Sequence, residues 1–309
     1  MQPPDKIVLE HAGALGDFLL AWPFFLSLSR HFPGVPAFRA APPSHGRWLA
    51  PLAAPCPPVL RRALEARFAS DAWPKELEGA LVFRPGLAAR PALPPWEGFR
   101  FVPGVVPGRD VSPLALYREA LDGWGIPFAH DYREAFQGYF GGHAPTDDTA
   151  LLFPGAGHTD KAWPLAHWQH LARRLREYGA RPVFVIGPVE RDRGVLPQEG
   201  EILEPEDLEA LSQALRGCRF AIGPDCGPMH LAGLHGVPGV ALFGPTSPRQ
   251  WGPAGLEITS AGLPCAPCTA VTSGEFAPGC ERPLPCMARI APEDVLDRLR
   301  RTGLVPGRP

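Results

Sequence analysis

From residue 148 onward, short apolar runs ("ALLFPG", "PVFVIG", "RFAIG", "PGVALFG") alternate with helix-patterned segments ("PLAHWQHLARRLREYG", "EDLEALSQALRG", "GPMHLAGLHG"). This alternation constrains the chain more than any other feature. A single helix between two strands is a crossover, and crossover-linked strands pair in parallel, so the pattern predicts a doubly wound sheet. Within the first segment, Leu165, Trp168, Leu171 and Leu175 fall on one helical face and Gly179 supplies the stop. Ligands of such sheets bind beyond the carboxyl ends of the strands. The loops of interest are therefore "PGAGHTDKAW", "GPVERD", "GPDCGPMH" and "GPTSPRQW".

The first half is less regular. A strand, "KIVLEHAG", leads into an apolar helix in which Leu15, Leu19, Trp22 and Leu26 form one stripe. Pro23 leaves two options: a helix that starts near Trp22, or a longer helix kinked at the proline. Residues 34 to 113 predict short strands and helices joined by proline-rich loops. "SPLALYREALDGWG" predicts a helix with Ser112 as N-cap and Pro113 as its first residue. The polar stretch "GGHAPTDDT" marks the expected division into domains at 1–147 and 148–309.

A net charge of −2 gives no sequence-independent grip on nucleic acid. No apolar run reaches the length of a membrane span, and "MQPPDKIVLEHAG" lacks the pattern of a secretory signal. The expectation is a cytoplasmic protein that can still touch a membrane face. The 41 prolines and 34 glycines are spread among apolar segments, which argues against disorder. Lys6, Lys75 and Lys161 are the only lysines, so a lysine inside a motif stands out.

"GPDCGPMH" enters a helix whose first amides are unsatisfied and suited to an anion. Asp225 there either caps the helix or serves a ligand, with His230 as a donor close by. In "PGAGHTDKAWP", Gly155, Ala156 and Gly157 let backbone amides approach an anion, and Lys161 adds a full charge. It is not a Walker loop, since its lysine is not followed by Ser or Thr. Glu190 follows the next strand, where an acid can accept from ribose hydroxyls; the alternative is an exposed loop glutamate. No GxGxxG, GxSxG or HExxH pattern occurs, which disfavours dinucleotide, serine-hydrolase and zinc-protease chemistry.

The segments "FPGAGHTDKAWP", "GPVERD" and "GPDCGPMHLAGLHGVPGVALFGPTSPRQWGP" resemble glycosyltransferase family 9, the ADP-heptose:lipopolysaccharide heptosyltransferases. "GALGDFLLAWPFFLSLSRHFPG" is similar to that family's opening motif, and "CAPC…IAPEDVLDRL" to its closing segment. The resemblance implies a GT-B fold, two Rossmann-like domains facing across a cleft, with the nucleotide sugar held by the second. It implies inverting transfer without a metal cofactor, from a nucleotide-diphosphate sugar to a lipopolysaccharide-like glycan or glycolipid. Asp17 is then the general base, and Lys161 stabilises the departing diphosphate. Glu190 holds the ribose, while Asp225, Cys226, Gly227 and His230 form the phosphate and sugar turn. Cys226 stands where the family pattern has Ser or Thr. A nucleotide-sugar epimerase and a non-catalytic nucleotide-sugar-binding protein are the competing readings.

Four of the seven cysteines, Cys265, Cys268, Cys280 and Cys286, cluster near the C-terminus. Their number suits a structural zinc site, their spacing equally suits disulfides, and packed thiols are the third option.

Overall fold

A computed structural model describes residues 4–68, 72–86, 96–194, 197, 199–268 and 286–306. Two compact units divide at Tyr132 and Arg133. In the first, β1 (Lys6–Glu10), α1 (Leu15–His31), β2 (Ala37–Ala40), α2 (Pro43–Gly46), β3 (Ala54–Pro55) and α3 (Pro58–Ala66) come in order. They are followed by β4 (Ala80–Gly86), β5 (Phe99–Pro103) and α4 (Pro113–Gly123). All pairings are parallel, in the order β3-β2-β1-β4-β5. The change of direction falls between β1 and β4, so residues following β1 emerge at the crevice of this sheet.

Helix α1 runs through Pro23, which settles the choice left by the sequence in favour of a single long helix. It is not a one-faced stripe either: Phe18, Leu19 and every residue from Ala21 to Leu28 are buried. A helix buried on all sides is a core element, which explains its lack of polar positions over that span. Ser27 donates to the Pro23 carbonyl and accepts from the Ala129 amide, so the one hydroxyl in this apolar stretch is satisfied. Helix α4 begins as its sequence predicts, with the Ser112 hydroxyl accepting from the Ala115 amide at 3.2 Å.

The second unit opens with α5 (Tyr132–Phe140), then β6 (Thr149–Leu152), a 3-10 turn at Thr159–Lys161, α6 (Leu165–Glu177), β7 (Arg181–Val185) and α7 (Pro188–Asp192). There follow β8 (Glu201–Leu203), α8 (Leu208–Gly217), β9 (Phe220–Pro224), α9 (Gly227–His235) and β10 (Gly239–Phe243). The chain continues through α10 (Pro248–Trp251), β11 (Glu257–Ser260), α11 (Cys286–Arg289) and α12 (Pro292–Arg301). The strands form a parallel sheet ordered β11-β10-β9-β6-β7-β8, so its change of direction lies between β6 and β9. One face is covered by α6 and α12: Trp168, Leu171 and Leu175 meet Leu152, Ile222, Leu242, Val295, Leu296 and Leu299 in one buried cluster.

Helix α5 precedes the polar stretch at 141–149, yet it is fastened to this second unit. Arg133 Nε donates to the Gly233 carbonyl and Gln137 Nε2 to the Leu234 carbonyl, both at 3.2 Å. These are carbonyls of the last turn of α9, where backbone donors run out; the Gly233 carbonyl also accepts from the Gly236 amide at the helix C-cap. Phe136 is fully buried with its ring edge-on to His235, and His235 bonds the Gly141 carbonyl and the Ser212 hydroxyl. A boundary drawn from polarity at 147/148 thus differs from the division by packing, because buried contacts rather than composition decide where a unit ends.

Candidate active site

The crevice between β6 and β9 receives two loops. The one after β6 carries Gly155, Ala156, Gly157 and Lys161; the one after β9 carries Asp225 and Cys226 and opens α9. Lys161 Nζ lies 3.2 Å from Asp225 Oδ2, with both side chains largely buried. His230, one turn into α9, brings Nε2 to 4.0 Å from Asp225 Oδ1. Burial pushes the His230 imidazole below its ordinary range, partly offset by the Asp225 charge. Asp225 therefore sits between a cation and a neutral imidazole.

The alternative that Asp225 caps α9 does not hold: the N-cap residue is Cys226, and it makes no side-chain cap. Desolvation pushes the Cys226 thiol up to about 12, so it stands at the helix start as an uncharged SH group. Gly227 is the first residue of α9 and is followed by Pro228, which has no amide hydrogen.

Glu190 lies beyond β7, the neighbour of β6, in the first turn of α7. Its Oε2 accepts from the Gly187 amide at 2.9 Å, capping its own helix. Its Oε1 comes so close to Gly155 that a Cβ at that position would stand 1.9 Å from it. Gly155 is thus required by space, and it lets the acid and the glycine loop meet. The Ala156 carbonyl accepts from Arg193 Nη1 at 3.0 Å, whereas Gly157 has nothing within 4 Å of where a Cβ would be. Arg193 was not singled out by the sequence; an exposed arginine directly after a short helix carries no motif.

Asp17 belongs to the first unit, in the first turn of α1 just beyond the carboxyl end of β1, and is half-buried. Burial, reinforced by the Asp17 charge, pushes the hydroxyl of Tyr117 upward. Ala14, the N-cap of α1, offers no side-chain cap.

In the cysteine segment, Cys265 and Cys268 share a turn in which Cys268 Sγ donates to the Cys265 carbonyl at 3.3 Å, and Cys286 is buried at the start of α11. Cys280 lies outside the described residues. Among the described residues no three His, Cys, Asp or Glu side chains are grouped to hold a metal, and no helix is long and apolar enough to cross a membrane.

The profile of glycosyltransferase family 9 (heptosyltransferase) matches residues 126–275. Lipopolysaccharide heptosyltransferase 1 of Pseudomonas aeruginosa is 32% identical over 172 residues, 50% of this chain and 48% of that protein. The chain thus spans about half the length of this curated relative. Among solved structures, the Escherichia coli heptosyltransferase WaaC with ADP superposes with a TM-score of 0.66 at 16% identity, over 96% of this chain and 99% of that one. The iron-containing dodecameric glycosyltransferase TibC from enterotoxigenic E. coli gives 0.60 at 15%, over 98% and 78%. At these identities the structural likeness concerns the fold, which is GT-B.

Proposed function

We propose that this chain, whose residues 126–275 match the model of glycosyltransferase family 9, transfers a sugar from a nucleotide-diphosphate sugar to a hydroxyl of a glycan or glycolipid. The donor expected from its relatives is ADP-heptose and the acceptor a lipopolysaccharide precursor. The observation that carries the reading is the pairing of Lys161 with Asp225 at the β6/β9 crevice, beside the start of α9 and one strand from Glu190.

In this reading the diphosphate lies over the start of α9, where amides at a helix start and the Lys161 ammonium meet the charge that develops on departure. Asp225 holds Lys161 in place before the donor binds. Glu190 offers its oxygens to the ribose, and its cap to Gly187 fixes its direction. Asp17 takes the proton of the acceptor hydroxyl as that oxygen attacks the anomeric carbon, with inversion. No metal is needed for this charge balance. Asp17→Asn is expected to abolish transfer while ADP affinity by calorimetry stays within about twofold; a collapse of ADP binding refutes the base assignment. Consumption of ADP-heptose without any acceptor instead favours an epimerase or hydrolase.

A glycolipid acceptor brings the protein to a membrane face, the cytoplasmic one being expected. Helix α3 suits that contact: Val59, Arg61 and Arg62 on it are exposed, as is Phe68 just past its end. The cysteine segment serves structure in this reading, as a zinc site, as disulfides or as packed thiols; among the described residues no disulfide joins Cys265, Cys268 and Cys286 to one another. Metal analysis with and without reductant separates the three.

A further inference from the structure

The turn that delivers Asp17 is closed by a residue outside every recognised motif. His11 follows β1 directly and is 2% exposed. Its Nδ1 accepts the Gly13 amide hydrogen at 3.2 Å, which places the ring proton of the neutral tautomer on Nε2. That Nε2 is buried and has no hydrogen-bond partner among the described residues. A buried N–H left unpaired is costly, so the ring is not there to satisfy itself. Aromatic rings fix its plane: Phe18 at 5.3 Å and His45 at 6.0 Å both stand nearly edge-on. Burial holds the imidazole neutral, pulling it down to about 3, with the charges of His45 and Arg84 acting in the same direction.

Gly13 shows what the ring is near. A Cβ there would stand 3.0 Å from His11 Cε1 and 3.1 Å from Asp17 Oδ2. Imidazole edge and carboxylate thus approach the same point from two sides, across a gap that a methyl group cannot enter without moving one of them. Gly13 is not among the positive-φ glycines, so its reason is space.

We propose that His11 is a positioning residue for Asp17, holding the 11–14 turn through the Gly13 amide and setting the carboxylate's place through the Gly13 gap. The role rests on the reading of Asp17 as the base. It holds the turn through a neutral ring nitrogen and so brings no charge to the carboxylate. A base displaced by about 1 Å can lose on the order of 100-fold in rate.

The test compares His11→Phe, which keeps a ring but loses the acceptor, with His11→Asn, whose carbonyl can accept the same amide. Gly13→Ala fills the gap and is the second probe should His11→Phe fail to fold. Two readouts run on the full chain: transfer from ADP-heptose to heptose-free lipopolysaccharide, and hydrogen exchange of the amides from 12 to 18. The expected result is a kcat reduced about 10- to 100-fold in His11→Phe and Gly13→Ala, an unchanged KM for ADP-heptose, and recovery of most of the rate in His11→Asn. Exchange of the turn is expected to rise about tenfold in His11→Phe and return in His11→Asn. His11→Phe with wild-type kcat and exchange overturns the proposal, as does an equal loss in His11→Asn. Should no transfer be seen with this acceptor, the exchange comparison decides. An active Asp17→Asn instead overturns the base assignment, leaving the exchange result to judge the turn.

Discussion

Asp225 has a cation on one side and a neutral imidazole on the other, so each substitution around it has a distinct signature. Lys161→Ala removes the charge facing the diphosphate and the cation paired with Asp225. The expected outcome is ADP binding weakened at least tenfold by calorimetry, since hydrogen bonds to charged groups are worth about 1.5–3 kcal/mol. Gly155→Ala forces Glu190 off its position, because its oxygen occupies the space of the new methyl. ADP affinity is expected to fall together with a lowered Tm, both read in one thermal-shift titration. Lys161 was legible in the sequence because lysine is rare here and a glycine loop precedes it. Asp225 was legible too, but its pairing with Lys161 was not, since the two lie 64 residues apart and only the sheet brings them together. His11 gave no signal at all: a histidine after a strand looks like any core residue until its amide partner is known.

Helix α9 is fixed at both ends by different chemistry. Its start faces the crevice and its last carbonyls are capped by side chains of α5. Gln137→Ala leaves the Leu234 carbonyl without this donor and is expected to cost about 1 kcal/mol, measured by urea unfolding. At this scale the second half was legible nearly to the residue for β6, β7, β9, β10 and for α6, α8 and α9, whereas α7 read as a loop. The short strands β8 and β11 were not legible, being too brief to display a period. Helix α1 misled in the opposite way: four residues fit a stripe, but the positions between them are apolar too, so the pattern could not distinguish a surface helix from a buried one.

For the whole molecule, pH dependence follows from two buried histidines. His11 and His235 are held neutral, at about 3 and about 4, chiefly by desolvation. The unfolded chain takes up those protons near 6.5 while the folded chain does not, so stability is present above that value and declines as pH falls toward 4. Melting temperature is expected to drop across this window, before the carboxylates Asp131 and Asp147, held below their ordinary range by hydrogen bonds (chiefly with Arg30 and Thr149 respectively), begin to titrate. His235→Asn is expected to flatten part of the slope, read by differential scanning calorimetry at steps between pH 7 and 4. At this scale the doubly wound sheet of the second half was legible from alternation, and the GT-B architecture from the family resemblance alone. The point of division was not, because the polar stretch 141–149 follows α5, whereas the packing contacts divide the chain ahead of Arg133.

That placement of α5 decides where this chain can be recombined with a relative. A chimera spliced at 147/148 joins a foreign α5 to a native α9, so Arg133 and Gln137 are lost and the Gly233 and Leu234 carbonyls meet whatever side chains the relative carries there. A chimera spliced ahead of Arg133 inherits the cap, the seat of Phe136 and the His235 bond to Gly141 as one inseparable block. The second junction is the one from which stable hybrids should be recovered.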